Sequence, residues 1–293
     1  MTEQPQILVP APPTEPPAAP DAPAAPDVPE AVADPGPPPR KDRRVLRAAL
    51  RWTAAVAVFA VAGAGTAYGI TRMERTDVPG LATASDGRWD YPELTKPPLP
   101  AGSPGPQEES NPAGTHHADL RALLLPAPAG AKENKALRGE DGWLATDDFL
   151  EEYAEEDDRD TFRQELVDAG LRHIAARGWT TGDGTRTRIY LLRFDTAAVV
   201  ENSFFEPHFS YISAYPVKGA DFTENDESFP VKSEVAGVQR SAQVETEPYG
   251  EEQDRQAYLA AGDVLAVVLQ SRKGTAPAVP FRQTVVLQSQ LLG

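Results

Sequence analysis

Cysteine is absent from all 293 residues. That excludes disulfides, thiol catalysis, cysteine-type zinc sites and a lipidated cysteine anchor, so an exported domain of this chain must draw its stability from its core. Serine-hydrolase signatures are missing too, with neither G-x-S-x-G nor S-x-x-K. The acidic run from Glu151 to Asp160 lacks the D-x-D-x-D-G order and distal Glu of a calcium loop. Histidine is scarce, with four residues: His116, His117, His173 and His208. His116 and His117 beside Asp119 could touch a metal, but they fall in a Pro/Gly-rich stretch that fixes no geometry. No catalytic residue, metal site or cofactor is therefore assigned. Positive charge is also in deficit, 28 Lys and Arg against 44 Asp and Glu, for a net charge of −16. Such a chain repels polyanions, which argues against nucleic acid as a partner.

Only one long apolar run occurs, Trp52–Ile70, and it carries no charge. Nineteen helical residues at ~1.5 Å each span roughly 28 Å, close to the hydrocarbon thickness of a bilayer. Trp52 and Tyr68 stand near its ends, where aromatic rings favour the headgroup level. Six bases (Arg40, Lys41, Arg43, Arg44, Arg47, Arg51) precede the run, whereas Arg72 and Arg75 follow it beside Glu74 and Asp77. The positive-inside rule then predicts a cytoplasmic N-terminus and an extracellular C-terminal domain. Ala60-Val-Ala62 and Ala62-Gly-Ala64 resemble signal-peptide cleavage sites, so a cleaved leader is the rival reading. The forty residues ahead of the basic cluster oppose it. Gly65 and Gly69 form a GxxxG pair that could bring two membrane helices together as a homo-oligomer.

Proline marks the tails. Fourteen of the thirty prolines precede Arg40. Residues 1–39 read as a disordered Pro/Ala-rich cytoplasmic tail, 40–51 as a basic juxtamembrane segment, 52–70 as the transmembrane helix and 71–117 as a Pro/Gly-rich stalk. Residues 118–293 are left as the folded extracytoplasmic domain.

Within that domain, Thr146 reads as the N-cap of a short helix and Asp160 as the cap of a second, over Thr161–Ala169, stopped by Gly170. Asp183-Gly184 separates two strand-like runs, Leu171–Thr180 and Thr185–Phe194, as a hairpin. A helix over 196–207 follows. Gln239–Thr246 reads as a strand, and the runs around Gly262-Asp263 form a second hairpin over 255–270. A last helix opens at Pro280 and ends at Leu292. Two hairpin–helix units predict an α+β fold with a mainly antiparallel sheet and helices on one face.

The run Gly170-Leu-Arg-His-Ile-Ala-Ala-Arg-Gly-Trp179, the Asp183-Gly184 turn and Ile189-Tyr-Leu-Leu-Arg-Phe194 resemble the extracytoplasmic domains of uncharacterised actinobacterial single-pass membrane proteins. More distantly, they are similar to the sensor ectodomains of mycobacterial serine/threonine kinases and related lipoproteins. The resemblance spans roughly residues 118–293 and implies a fold and a location rather than an activity. This chain departs from the kinase-linked members in lacking cysteine and a kinase domain, which removes their disulfide-supported cleft.

The first hairpin is basic within an acidic domain. Arg172, Arg177, Arg186 and Arg188, with Trp179, are the candidate ligand-binding residues, suited to an anionic ligand or an acidic surface. The expected function is a membrane-anchored binding or interaction module for an envelope ligand or protein partner. One alternative is a cell-envelope hydrolase using paired carboxylates among Asp141, Asp147, Asp148 and Asp183, which would have to converge to within ~5–10 Å. Another is a structural or assembly role through Gly65 and Gly69.

Overall fold

The computed structural model describes residues 44–72, 85–220, 222–246, 248 and 250–293, in a chain that divides into two units, Met1–Glu74 and Arg75–Gly293. The tail expected over 1–39, the start of the basic segment at 40–43 and residues 73–84 lie outside the described residues.

In the first unit, Arg44–Arg72 forms one helix, α1, of 29 residues. Its Arg44–Gly69 stretch is long and apolar enough to cross a membrane. Val56, Val58, Phe59 and Val61 are all exposed. From Trp52 on, the helix is apolar all round, and a face of that kind left exposed among the described residues suits lipid better than water. Both Thr53 and Thr66 are satisfied within the helix, Thr53 Oγ1 donating to the Ala49 carbonyl at 2.9 Å and Thr66 Oγ1 to that of Ala62 at 2.8 Å.

The second unit is built on seven antiparallel strands. In chain order its elements are β1 (Lys132–Glu133), α2 (Thr146–Leu150), α3 (Glu156–Asp168), β2 (His173–Thr180), β3 (Arg186–Arg193) and α4 (Ala197–Val199). A π-helix (Val200–Phe209) continues α4, followed by β4 (Thr223–Asn225), β5 (Val238–Glu245), β6 (Glu252–Ala261), β7 (Val264–Lys273) and α5 (Ala278–Leu292). The spatial order is β1-β2-β3-β7-β6-β5-β4. The expected hairpins are β2–β3 and β6–β7, and they join edge to edge through β3 and β7. Asp183 closes the first turn by accepting from Thr181 Oγ1 at 2.6 Å and Thr185 N at 3.1 Å, while Gly184 takes a φ of +83° that side chains disfavour.

The α+β class and the antiparallel sheet match the expectation. The helical cover extends to both faces, because β7 is apolar on both. Leu265, Val267 and Leu269 pack with Phe149 of α2, Phe162 of α3 and Phe209 of the π-helix. Val264, Ala266 and Val268 pack with Phe281, Val285 and Leu291 of α5. Each such large side chain, fully buried, contributes roughly 1.5–3 kcal/mol.

Three local expectations are corrected. Helix α3 begins at Glu156, not at Thr161, because Glu156, Asp157 and Asp158 fill its first turn and suit the positive end of the helix dipole. The helix expected over 196–207 is α-helical for only three residues and then π-helical, with Pro207 inside it. Proline has no N–H to donate and its ring crowds the preceding turn, so regular α-helical bonding cannot continue there. The stalk expected over 71–117 is corrected from Trp89 onward. Trp89, Tyr91 and Leu94 pack on the α5 side of the core. Gln283 brackets the Trp89 backbone, accepting from its N at 2.8 Å and donating to its carbonyl at 2.9 Å. Tyr91 Oη lies 2.7 Å from Thr284 Oγ1. Burial of these rings outweighs the extended preference of the surrounding prolines.

Candidate functional site

The arginines of the first hairpin do not gather into one site. Strand alternation sends Arg186 and Arg188 to the α2 face and Arg177, opposite Ile189, to the α5 face. Arg177 is half-buried and donates to the Leu124 carbonyl at 3.1 Å; burial pulls its pKa below the usual guanidinium range. Arg172 forms a two-pronged pair with Asp195, at 2.7 and 2.8 Å, on the open surface. Trp179 is 1% exposed and meets Tyr91 edge to face, so it is part of the core and presents no ring to a ligand.

Arg186 and Arg188 do line a common cleft of about 320 Å³ with Glu152, Lys218, Glu252 and Asp254. Its walls follow from local structure. The chain leaving α2 pairs with residues 216–218, Ala154 N donating to the Pro216 carbonyl at 2.9 Å and Lys218 N to that of Glu152 at 2.8 Å. This holds Glu152 over the sheet, where Tyr190 Oη donates to its Oε1 at 2.5 Å and Arg188 Nε stands 3.2 Å from its Oε2. Burial, reinforced by the Glu152 charge, pushes the Tyr190 hydroxyl far above the usual phenol range. The floor is one row across the sheet, with Arg186 opposite Ser271 and Ser271 opposite Asp254. Glu245, buried at the end of β5, accepts from Asp254 N at 3.1 Å.

Every other acid lining this cleft has a cation partner. Glu152 faces Arg188, Glu252 faces Arg186, Glu151 faces Lys218 and Glu251 faces Lys273. Asp254 is 4% exposed, and its carboxyl has no such partner among the described residues. Burial pushes it up to about 7; Arg188 and Arg186 work against that rise, and the Glu245 and Glu252 carboxylates add to it. A larger hollow, of about 470 Å³, includes Glu108 and Glu201, but Gly105 N and Gln239 Nε2 already occupy those carboxylates.

The carboxylates considered for hydrolysis are spread over a helix and two turns. Asp147 and Asp148 lie in the first turn of α2, and Asp141 sits in a turn with a φ of +51°. Asp183 is exposed at its hairpin turn, where its slight burial alone would raise it. Hydrogen bonds from Thr181, Thr185 and Arg272 outweigh burial and hold it at about 2.

His116 does not lie in a loose stalk. It is 3% exposed, with Nδ1 2.7 Å from Asp263 Oδ1 and Nε2 2.8 Å from the Leu292 carbonyl. His173 stacks on Trp143 with ring centres 4.4 Å apart, and His208 Nε2 lies 3.3 Å from Glu165 Oε2. Among the described residues no group of three or more His, Asp and Glu side chains could hold a metal ion.

These features define a class: an α+β sheet domain with a polar cleft, in a chain whose described residues include one helix long and apolar enough to span a membrane. No protein-family model and no curated protein matches the chain. Among solved structures it shows a distant likeness to the extracellular domain of PknH from Mycobacterium tuberculosis. The identity is 12%, the alignment covers 44% of this chain and 68% of that one, and the TM-score is 0.27, too low to carry an argument about function.

Proposed function

We propose that this chain is a single-pass membrane protein, with its N-terminus in the cytoplasm and its C-terminal domain outside, acting as a binding module through the cleft between α2 and the sheet. The observation that carries the reading is the apolar run of α1 from Trp52 on, exposed among the described residues, with six bases ahead of it and a separate sheet domain after it. The cleft supports the second half of the reading. Its walls are held by ion pairs and hydrogen bonds before any ligand arrives, which lowers the ordering cost of binding. Gly65 and Gly69 add a homo-oligomeric contact within the membrane, since among the described residues no other element lies within 4 Å of a Cβ placed at either.

The absence of cysteine makes sidedness directly measurable. Single Ala24→Cys and Thr275→Cys variants would be treated in intact cells with a membrane-impermeant maleimide. Thr275 is exposed in the loop after β7. The expected result is labelling at 275, protection at 24 until the cells are lysed, and both variants in the membrane fraction. Labelling at 24 alone, or release of a shortened protein starting near Gly63–Thr66 into the medium, would overturn the reading.

A further inference from the structure

Taking the cleft as the binding site, we infer that its ligand is a small organic amine, whose ammonium group is received by the Asp254 carboxylate. The charges of the lining decide the ligand's sign. Three cations, Arg186, Arg188 and Lys218, stand against five carboxyls, and each cation is already matched to one of them. An anion would have to break one of those pairs and would still face the surplus acid. A cation meets Asp254, the one lining acid with no cation of its own among the described residues.

Other ligand classes fit less well. A metal ion needs several oxygen ligands converging, and no such group occurs among the described residues. Sugars are commonly held against an aromatic face, and no aromatic side chain lines this cleft. An ammonium group needs only a carboxylate and one or two further acceptors. Ser271, the cross-strand partner of Asp254, supplies a hydroxyl on the same floor. At the rim, Glu151 and Glu251 pair only with exposed lysines. Such pairs are weak and exchange readily, so a second amine could displace a lysine there.

A buried carboxyl with no partner raises the free energy of the empty domain, and an arriving ammonium removes that cost. Binding energy is thus stored in the fold, and the cleft selects for charge and size rather than for an extended surface.

The test is calorimetric titration of the full-length protein in lipid nanodiscs at pH 8 with 1,4-diaminobutane. Butane-1,4-diol serves as the uncharged probe and succinate as the anionic one. The expected result is saturable binding of the diamine at one site, no saturable binding of the diol or succinate, and at least a tenfold loss of diamine affinity in Asp254→Asn. That variant removes a charge without changing shape, and circular dichroism verifies its fold. No saturable diamine binding, or equal affinity in Asp254→Asn, overturns the inference. Saturable binding of succinate that is lost in Arg188→Gln also overturns it, while leaving the cleft as a binding site. A failure of topology would instead appear in the maleimide experiment, which does not depend on any ligand.

Discussion

His116 and Asp263 form a buried hydrogen-bonded pair that ties the segment before residue 118 to the turn between β6 and β7. The imidazole Nδ1 lies 2.7 Å from Asp263 Oδ1, and the same oxygen accepts from His116 N at 2.9 Å. The other ring nitrogen lies 2.8 Å from the Leu292 carbonyl, so the ring is held at both of its nitrogens. Arg193 Nε stands 3.2 Å from the second oxygen of Asp263. Three separate parts of the chain meet at this one carboxylate.

Replacing His116 strands part of that charge. His116→Leu is expected to destabilise the domain by about 1–3 kcal/mol, the usual cost of leaving a buried acceptor unsatisfied. The double variant His116→Leu/Asp263→Asn should recover part of the loss. Chemical denaturation of the four proteins in the cycle measures the coupling. Strict additivity would show that the pair is not energetically linked.

Asp254 gives the domain a pH dependence of opposite sign to that of an ordinary paired carboxylate. Its folded pKa of about 7 lies above the value near 3.9 of an unfolded Asp, so between these limits the native state holds more protons. Stability contributed by this residue is therefore full below pH 4 and is lost as pH rises through 7. Arg186, Arg188, Glu245 and Glu252 face it and act on the same equilibrium. Asp254→Asn should raise stability at pH 8 by up to roughly 4 kcal/mol and flatten the slope between pH 4 and 7. Denaturation midpoints at four pH values test this, and an unchanged slope would refute it.

The crossing of two glycines should tolerate no side chain. Gly262 has a φ of +51°, and a Cβ added there would run into the Gly114 carbonyl oxygen. That oxygen accepts from Asp263 N at 3.0 Å. Gly262→Ala is expected to cost about 2 kcal/mol or more and to lower the melting temperature by several degrees. Gly184→Ala, with open space around it, carries only the backbone cost and should lower it less.

Helix pairing in the membrane has a similarly direct readout. Gly65→Ile with Gly69→Ile is expected to lower self-association in a membrane two-hybrid assay while leaving insertion intact. An unchanged signal would rule out this face as the contact.

Much of the sheet was readable from the residues because two signals agreed there. Asp183-Gly184 and Gly262-Asp263 sit between runs of strand formers, and both proved to be hairpin turns. Helix starts were less clear, since Glu156-Asp157-Asp158 reads equally as a loop or as a first turn. The cleft was only half visible. Arg186 and Arg188, two residues apart, share a strand face by alternation alone, but nothing in the run Leu171–Thr180 shows that Arg177 belongs to the other layer or that Trp179 is buried. Asp254 was overlooked because the strand was expected to start at Arg255. It did leave a trace. Asp254, Gln256, Tyr258 and Ala260 alternate along β6, and an acid on that inward row is out of keeping with the apolar face it joins.

The place of β7 bears on how the protein is made. This strand, among the last elements in the chain, lies at the middle of the sheet between β3 and β6, which cannot be joined until residue 273 has been synthesised. The earlier hairpin waits with its apolar edge unpaired, and contacts between such distant residues form slowly. A domain assembled in this way remains an open chain for most of its synthesis, a form that can be threaded across a bilayer before it closes.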